Sequence, residues 1–144
     1  MTFIVLDRDG VINEDSDDYI KAADEWIPIE GSLEAIATLT ASGYRVAIAT
    51  NQSGLARGLF DEYALANIHQ KLCASVEDEG GFIEGIFFCP HGPDESCSCR
   101  KPGTGLLTRI EQELGVSLAG QAFVGDSLPD LQAAQSYNMR AVLV

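Results

Sequence analysis

Near the amino terminus four consecutive apolar residues, Phe3-Ile4-Val5-Leu6, run directly into Asp7-Arg8-Asp9-Gly10, and no other stretch restricts the fold as much. A short run that is apolar at every position fits a strand covered on both faces, the condition of a parallel sheet flanked by helices. Ligands bind at the carboxyl edge of such sheets, so Asp7 and Asp9 stand where chemistry is expected. Two carboxylates this close repel each other unless a cation offsets them, and a hard divalent ion with oxygen ligands, magnesium first, is the usual one. Gly10 lets the backbone turn tightly beneath the site. Taken alone, the pair also fits a solvated acidic turn, and the other motifs must decide.

The remaining periodicity repeats the pattern of strand, polar loop and helix. Ser32 is a good N-cap for a helix with Leu33, Ile36 and Leu39 on one face and Gly43 as its stop. Arg45 to Ala49 reads as a second strand, ending in Thr50-Asn51-Gln52-Ser53-Gly54-Leu55-Ala56-Arg57-Gly58. Asp61 caps a helix to about Glu79, with Leu65, Ile68, Leu72 and Val76 as its core stripe. His69 and Cys73 on that helix have no partners in sequence and read as structural. Phe82 to Phe88 is a third strand, Gly105 to Leu114 a helix with Leu107, Ile110 and Leu114 inward, Ala122 to Val124 a fourth strand, a helix runs to about Tyr137, and Ala141 to Val144 is a fifth strand. This alternation predicts an α/β fold, a Rossmann-like parallel five-stranded sheet with right-handed crossovers.

At 144 residues the chain suits one domain, 1–144, burying about 68% of its unfolded surface. Its 46% hydrophobic content contains no run long enough for a membrane helix. The strand begins almost at Met1, leaving no room for a secretory or transit segment, so the expected address is the cytoplasm. A net charge of −13 argues against nucleic acid or an anionic membrane as partner. Of nine Lys and Arg residues, Arg8, Arg57, Arg100 and Lys101 fall in the loops around the expected site, a pattern suited to a small anionic substrate. We expect a monomer. The segment Glu14 to Gly31, with Asp15, Asp17, Asp18, Tyr19 and Trp26, lacks periodicity and reads as a loop flanking the site, too short for a separate lid; the acids Asp17 and Asp18 also fit a plain solvated face.

Four polar clusters each follow an apolar strand: Asp7/Asp9, Thr50 to Ser53, Arg100/Lys101, and Asp126/Asp130. A parallel sheet brings all four to one edge. The inventory is a set of carboxylates, a hydroxyl with nearby backbone amides, and a fixed cation, which is what phosphoryl transfer needs. Asp7 would attack phosphorus and form an aspartyl-phosphate, while Asp9 would protonate the leaving alcohol and later deprotonate water. Separately, Cys89-x-His91-x5-Cys97-x-Cys99 offers three thiolates and an imidazole, a full tetrahedral zinc set. Such a closed site is structural; it would pin the loop that continues into Arg100 and Lys101.

Asp7-x-Asp9-Gly10, Thr50, Lys101 and Gly125-Asp126-x3-Asp130 resemble, in order and along nearly the whole chain, the four motifs of the haloacid dehalogenase superfamily. The resemblance implies magnesium held by the side chains of Asp7 and Asp126 and the backbone carbonyl of Asp9, with Thr50 and Lys101 binding phosphate and Asp130 in support. The cysteine segment followed by Arg100-Lys101-Pro102 is similar to a small capless group containing the heptose bisphosphate and histidinol phosphatases. The run Thr50 to Gly58 looks like the heptose enzymes, which implies hydrolysis of the 7-phosphate of a heptose 1,7-bisphosphate on the way to lipopolysaccharide. The short His91 to Cys97 spacing is shared with the histidinol phosphatases, and histidinol phosphate is the alternative substrate. By the same resemblance Asp15 and Tyr19 belong to a substrate loop, Asn51, Gln52 and Ser53 contact sugar or phosphate, and Arg100 recognises substrate; Asn51 and Gln52 also fit simple loop hydrogen bonding.

Two rivals come from other classes. A phospho-receiver domain also combines Asp, magnesium, Thr and Lys on a parallel sheet, but its phosphorylated Asp follows the third strand, where this chain has its cysteine cluster. A zinc-stabilised binding module without activity would have no need of the intact acids at positions 7, 9 and 126.

Overall fold

The computed structural model describes residues 2–144. Strand β1 (Phe3–Leu6) is the middle of a five-stranded, all-parallel sheet ordered β3-β2-β1-β4-β5, with β2 (Arg45–Asn51), β3 (Gly85–Cys89), β4 (Ala122–Gly125) and β5 (Arg140–Leu143). Every β1 residue is buried, and successive side chains enter different cores. Phe3 and Val5 join Phe87, Leu107, Ile110, Phe123 and Met139 beneath helices α3 (Gly105–Leu114) and α4 (Leu128–Ser136). Ile4 and Leu6 join Ile36, Ile48, Ile68, Leu72 and Val76 beneath α1 (Ser32–Ala41) and α2 (Glu62–Asp78). A strand covered twice has no polar face, which is why Phe3 to Leu6 reads as continuous rather than alternating hydrophobicity.

The chain moves outward from β1 through β2 to β3, then crosses back to β4 on the other side of β1. That reversal opens a crevice at the carboxyl end of β1, the position where open α/β sheets receive ligands. Register sets its walls: Leu6 pairs with Ile48 and Val124, and Asp7 N–H donates to Val124 O at 2.9 Å. The next residues of all three strands therefore share one edge.

Local chemistry departs from expectation in a few places. The α1 N-cap is Gly31, in the left-handed region at φ 89°, and Ser32 is the first helical residue. The Ser32 hydroxyl instead donates to Val11 O at 2.7 Å, tying the helix start to the loop after β1. Asp61 caps α2 as expected, accepting from Ala64 N–H at 2.8 Å. Strand β3 begins at Gly85 rather than Phe82, because Phe82 is exposed and only residues from Gly85 onward align with β2. Strand β2 runs on through Thr50 and Asn51, paired with Phe88 and Cys89, so these polar residues are held by sheet hydrogen bonds rather than by a loop. Between β1 and α1 the only helical piece is a turn at Ala23–Glu25, fastened to α2 by Lys71 Nζ, which donates to Ala23 O and Trp26 O at 2.8 and 3.1 Å. Among the described residues, no helix is long and apolar enough to cross a membrane.

Candidate active site

At the crevice lies a cavity of about 270 Å³ lined by Asp7, Asp9, Asp15, Thr50, Asn51, Arg100, Lys101, Asp126, Ser127, Pro129 and Asp130. Each strand end contributes. Asp7 follows β1, Thr50 and Asn51 end β2, Lys101 follows the loop after β3, and Asp126 follows β4. Tyr19, Gln52 and Ser53 are not among its walls.

Asp7 is nearly buried, and its Oδ1 accepts from Arg8 N–H at 2.8 Å and from Lys101 Nζ at 3.0 Å. Burial pushes its carboxyl up to about 7; Lys101 pulls it back and Asp130 pushes it further. Lys101 Nζ is buried and also donates to Asp130 Oδ1 at 2.6 Å and to Ala49 O at 2.9 Å, which leaves it no torsional freedom. Asp130 spends its other oxygen on Asp126 N–H at 3.2 Å and Ser127 Oγ at 3.0 Å. It is thus a buttress for Lys101 and for the Asp126 loop.

Oxygen atoms of Asp7, Asp126 and Asp130 lie within 4.8 Å of one another. Desolvation, and then the charge of Asp130, push the Asp126 carboxyl up as well. Two carboxylates facing one hollow, both driven toward protonation, are the donor set that a hard divalent cation stabilises in ionised form. The backbone is shaped to keep that hollow open. Gly10 has φ +81°, and a Cβ there would fall 1.9 Å from Asp126 Oδ2. At Gly125 a Cβ would fall 2.3 Å from Asp130 Cβ. Asp7 and Asp126 with the nearby Asp9 backbone fit magnesium; Asp130, with both oxygens engaged, does not add a ligand.

Asn51 and Gln52 turn out to brace the site. Asn51 Oδ1 accepts from Lys101 N–H at 3.0 Å and its Nδ2 donates to Lys101 O at 3.2 Å, clamping the backbone of the cation-bearing residue to β2. Gln52 is buried and its Nε2 donates to both Asp9 Oδ2 and Thr50 Oγ1, at 3.1 and 3.0 Å. Arg100 lines the cavity and its Nη1 donates to His91 O at 3.2 Å, so it is oriented by the cysteine loop. Tyr19 has a left-handed backbone at φ 66° and the Arg57 guanidinium over its ring at 5.9 Å, linking the loops after β1 and β2 beside the cavity.

Arg8 is the main correction among the cations. Composition counts it with the charges available to substrate, but it is fully buried beneath Asp9, with its third edge against His69 on α2. His69, four residues after the core residue Leu65, lies on the inward side of α2; that spacing was the available signal that it has a buried partner.

Cys89, His91, Cys97 and Cys99 place one donor atom each within 4.8 Å of every other. His91 Nδ1 is 3.4 Å from both Cys89 Sγ and Cys99 Sγ, and Cys89 Sγ is 3.8 Å from Cys97 Sγ. These match the edges, about 3.5–3.8 Å, of a tetrahedron around zinc with ordinary bond lengths. The Cys89 and Cys99 sulfurs approach still closer, in contact as a disulfide pair. A two-sulfur crosslink gives no reason for Cys97 and His91 to converge on the same point, whereas a four-ligand site does.

A family profile described as haloacid dehalogenase-like hydrolase matches residues 2–138. The chain is 54% identical over 143 residues to the D-glycero-beta-D-manno-heptose-1,7-bisphosphate 7-phosphatase of Pseudomonas aeruginosa, covering 99% of this chain and 80% of that protein. It is 55% identical over 134 residues to the enzyme of the same name from Bordetella bronchiseptica, covering 93% and 75%. Among solved structures, D,D-heptose 1,7-bisphosphate phosphatase from B. bronchiseptica, complexed with magnesium and phosphate, superposes with a TM-score of 0.95 at 52% identity, covering 99% of this chain and 80% of that one. With a profile match over nearly its whole length and acids, hydroxyl and lysine gathered at one sheet edge, the chain belongs to the haloacid dehalogenase-like hydrolases.

Proposed function

We propose that this chain is a magnesium-dependent phosphatase that hydrolyses the 7-phosphate of D-glycero-D-manno-heptose 1,7-bisphosphate, supplying heptose for lipopolysaccharide. The observation that carries the reading is the identity of 54% across 99% of the chain to a protein of that named activity. The crevice supports it with a buried acid beside a buried lysine. The β configuration in the relatives' name is the anomer we assign.

Asp7 is the nucleophile: its carboxylate forms a bond to phosphorus while the bond from phosphorus to the sugar oxygen breaks. Lys101 and Thr50 receive the phosphoryl oxygens, Lys101 from a position fixed by Asp130, Ala49 and Asp7. Asp9 gives its proton to the leaving sugar oxygen, then takes one from the water that cleaves the aspartyl-phosphate. Magnesium, held by Asp7, Asp126 and the Asp9 carbonyl, supplies charge neutralisation of the transferring group. Arg100, Asp15, Tyr19 and Ser53 we assign to the sugar and its second phosphate, with Asn51 and Gln52 acting from beneath. Cys89, His91, Cys97 and Cys99 hold one structural zinc. The enzyme works as a cytoplasmic monomer built as one domain.

The test is phosphate release with magnesium present, comparing both heptose 1,7-bisphosphate anomers with histidinol phosphate at equal concentration. The expected result is a kcat/KM at least about 100-fold higher for the β heptose, the discrimination that a site built to hydrogen-bond its substrate provides. Preference for histidinol phosphate would overturn the substrate assignment and leave the chemistry.

A further inference from the structure

Asp9 is the most heavily braced carboxylate in the crevice. Its Oδ1 accepts from Arg8 Nε at 2.9 Å, Arg8 Nη2 at 2.7 Å and Asn13 Nδ2 at 2.9 Å. Its Oδ2 has a single donor, Gln52 Nε2 at 3.1 Å. An oxygen with three N–H donors has no lone pair left to hold a proton, so a protonated Asp9 carries it on Oδ2. The fork that saturates Oδ1 is an arginine with no solvent exposure. Arg8 Nη1 lies 3.1 Å from His69 Nε2. Arginine has no acceptor, so the contact requires His69 to accept through a neutral ring. Burial and the adjacent guanidinium lower the His69 pKa to about 3, which keeps the ring neutral, and it packs against Phe88 at 6.1 Å between centroids.

We infer that His69 is a positioning residue for the reaction: by accepting from Arg8 it fixes the guanidinium fork that saturates Asp9 Oδ1 and so presents Oδ2 as the atom that delivers the proton to the leaving oxygen. The inference rests on the assignment of Asp9 as general acid. Removing the acceptor leaves a buried N–H without a partner. The guanidinium then turns toward another acceptor, and the two N–H groups on Oδ1 turn with it. The chemical consequence is selective. A sugar alkoxide is a poor leaving group and needs the proton as its bond to phosphorus breaks; p-nitrophenolate leaves without one. The ratio kcat/KM reports events up to phosphoryl transfer, so it isolates this step from later hydrolysis of the aspartyl-phosphate.

The experiment measures kcat/KM of the magnesium-loaded protein for heptose 1,7-bisphosphate and for p-nitrophenyl phosphate, in wild type, His69→Leu, His69→Gln and Asp9→Asn. A general acid contributes about 10²–10⁴-fold, so Asp9→Asn loses at least about 100-fold on the sugar phosphate and far less on the aryl phosphate. His69→Leu loses about 10-fold or more on the sugar phosphate and about twofold or less on the aryl phosphate, a partial loss of the same contribution. His69→Gln, which restores an acceptor, recovers most of the loss. Equal losses on both substrates in His69→Leu, or none, while Asp9→Asn remains selective, would overturn the role of His69. Equal losses in Asp9→Asn itself would overturn the assignment of Asp9 and the inference with it. If His69→Leu does not fold, His69→Met, also lacking a nitrogen acceptor, carries the comparison.

Discussion

Lys101 Nζ stands 3.0 Å from Asp7 Oδ1, buried and fixed by Asp130 on its other side. In the proposed chemistry this cation lies beside the nucleophile, so the charge that would receive the phosphoryl group also pulls the Asp7 carboxyl back down against the upward push of burial. Replacing Lys101 with Met removes both effects. Loss of one preorganised donor at a developing oxyanion typically costs about 10²–10³-fold, and we expect at least that loss in kcat/KM for Lys101→Met. Lys101→Arg will not restore it, because the planar fork does not fit a point-charge position among three acceptors. Steady-state kinetics on folded variants check both.

Gly10 is predicted to be irreplaceable. A Cβ at that position would displace Asp126 Oδ2, and the positive φ disfavours any other residue. Gly10→Ala should weaken magnesium binding at least tenfold, a free-energy change of about 1.4 kcal/mol, and activity should recover only at raised magnesium. Magnesium titration of phosphate release measures the shift.

The cysteine loop carries a separate prediction. Metal analysis should find about one zinc per chain, and Cys97→Ser should lose it, since a structural site needs all four ligands. Arg100 is bonded to His91 O and Lys101 follows directly, so activity should fall together with melting temperature although no reacting group is changed. Zinc absent from the folded, active protein would remove this assignment.

His69 gives a pH dependence whose sign is fixed. Its folded pKa, lowered to about 3, lies below the ordinary value of 6.5, so the unfolded chain binds the proton first as pH falls. The stability contributed by neutral His69 is therefore complete above pH 6.5 and is lost below it, by up to about 1.4 kcal/mol per pH unit. Asp7, raised to about 7, acts oppositely, losing stability as pH rises through the window from its ordinary 3.8, but it is common to both proteins compared. Urea denaturation of wild type and His69→Gln from about pH 7.5 to 5 should show the wild-type margin shrinking with acid.

Much of this arrangement can be read from residue order. Continuous apolarity at Phe3 to Leu6 specifies a doubly covered strand, and the Leu65, Ile68, Leu72, Val76 stripe specifies the crossover helix between β2 and β3, because burial periodicity survives in a linear text. Polar residues placed after each strand specify the shared edge. What order does not carry is which side chains are consumed by one another. Arg8, between Asp7 and Asp9, reads as a substrate cation, yet only the packing of α2 shows that it points into the protein toward His69. Asn51 reads as a substrate contact until β2 is seen to continue through it and place its amide against the Lys101 backbone. Ser32 reads as a cap because capping is a local preference; a carbonyl 21 residues upstream takes its hydroxyl instead.

The proposed chemistry requires that Asp7 become phosphorylated, and rapid-quench intact mass spectrometry with p-nitrophenyl phosphate reads that event on the protein itself. Asp9→Asn is the protein to use with this substrate, because p-nitrophenolate leaves without a proton while, without the base that activates water, the intermediate decays slowly. We predict a transient gain of one phosphoryl group, mapped by peptide sequencing to Asp7 and absent from the Asp7→Asn/Asp9→Asn double variant. Phosphate released from p-nitrophenyl phosphate by a wild-type protein whose Asp9→Asn form carries no label, or carries it on another residue, would rule out Asp7 as the nucleophile.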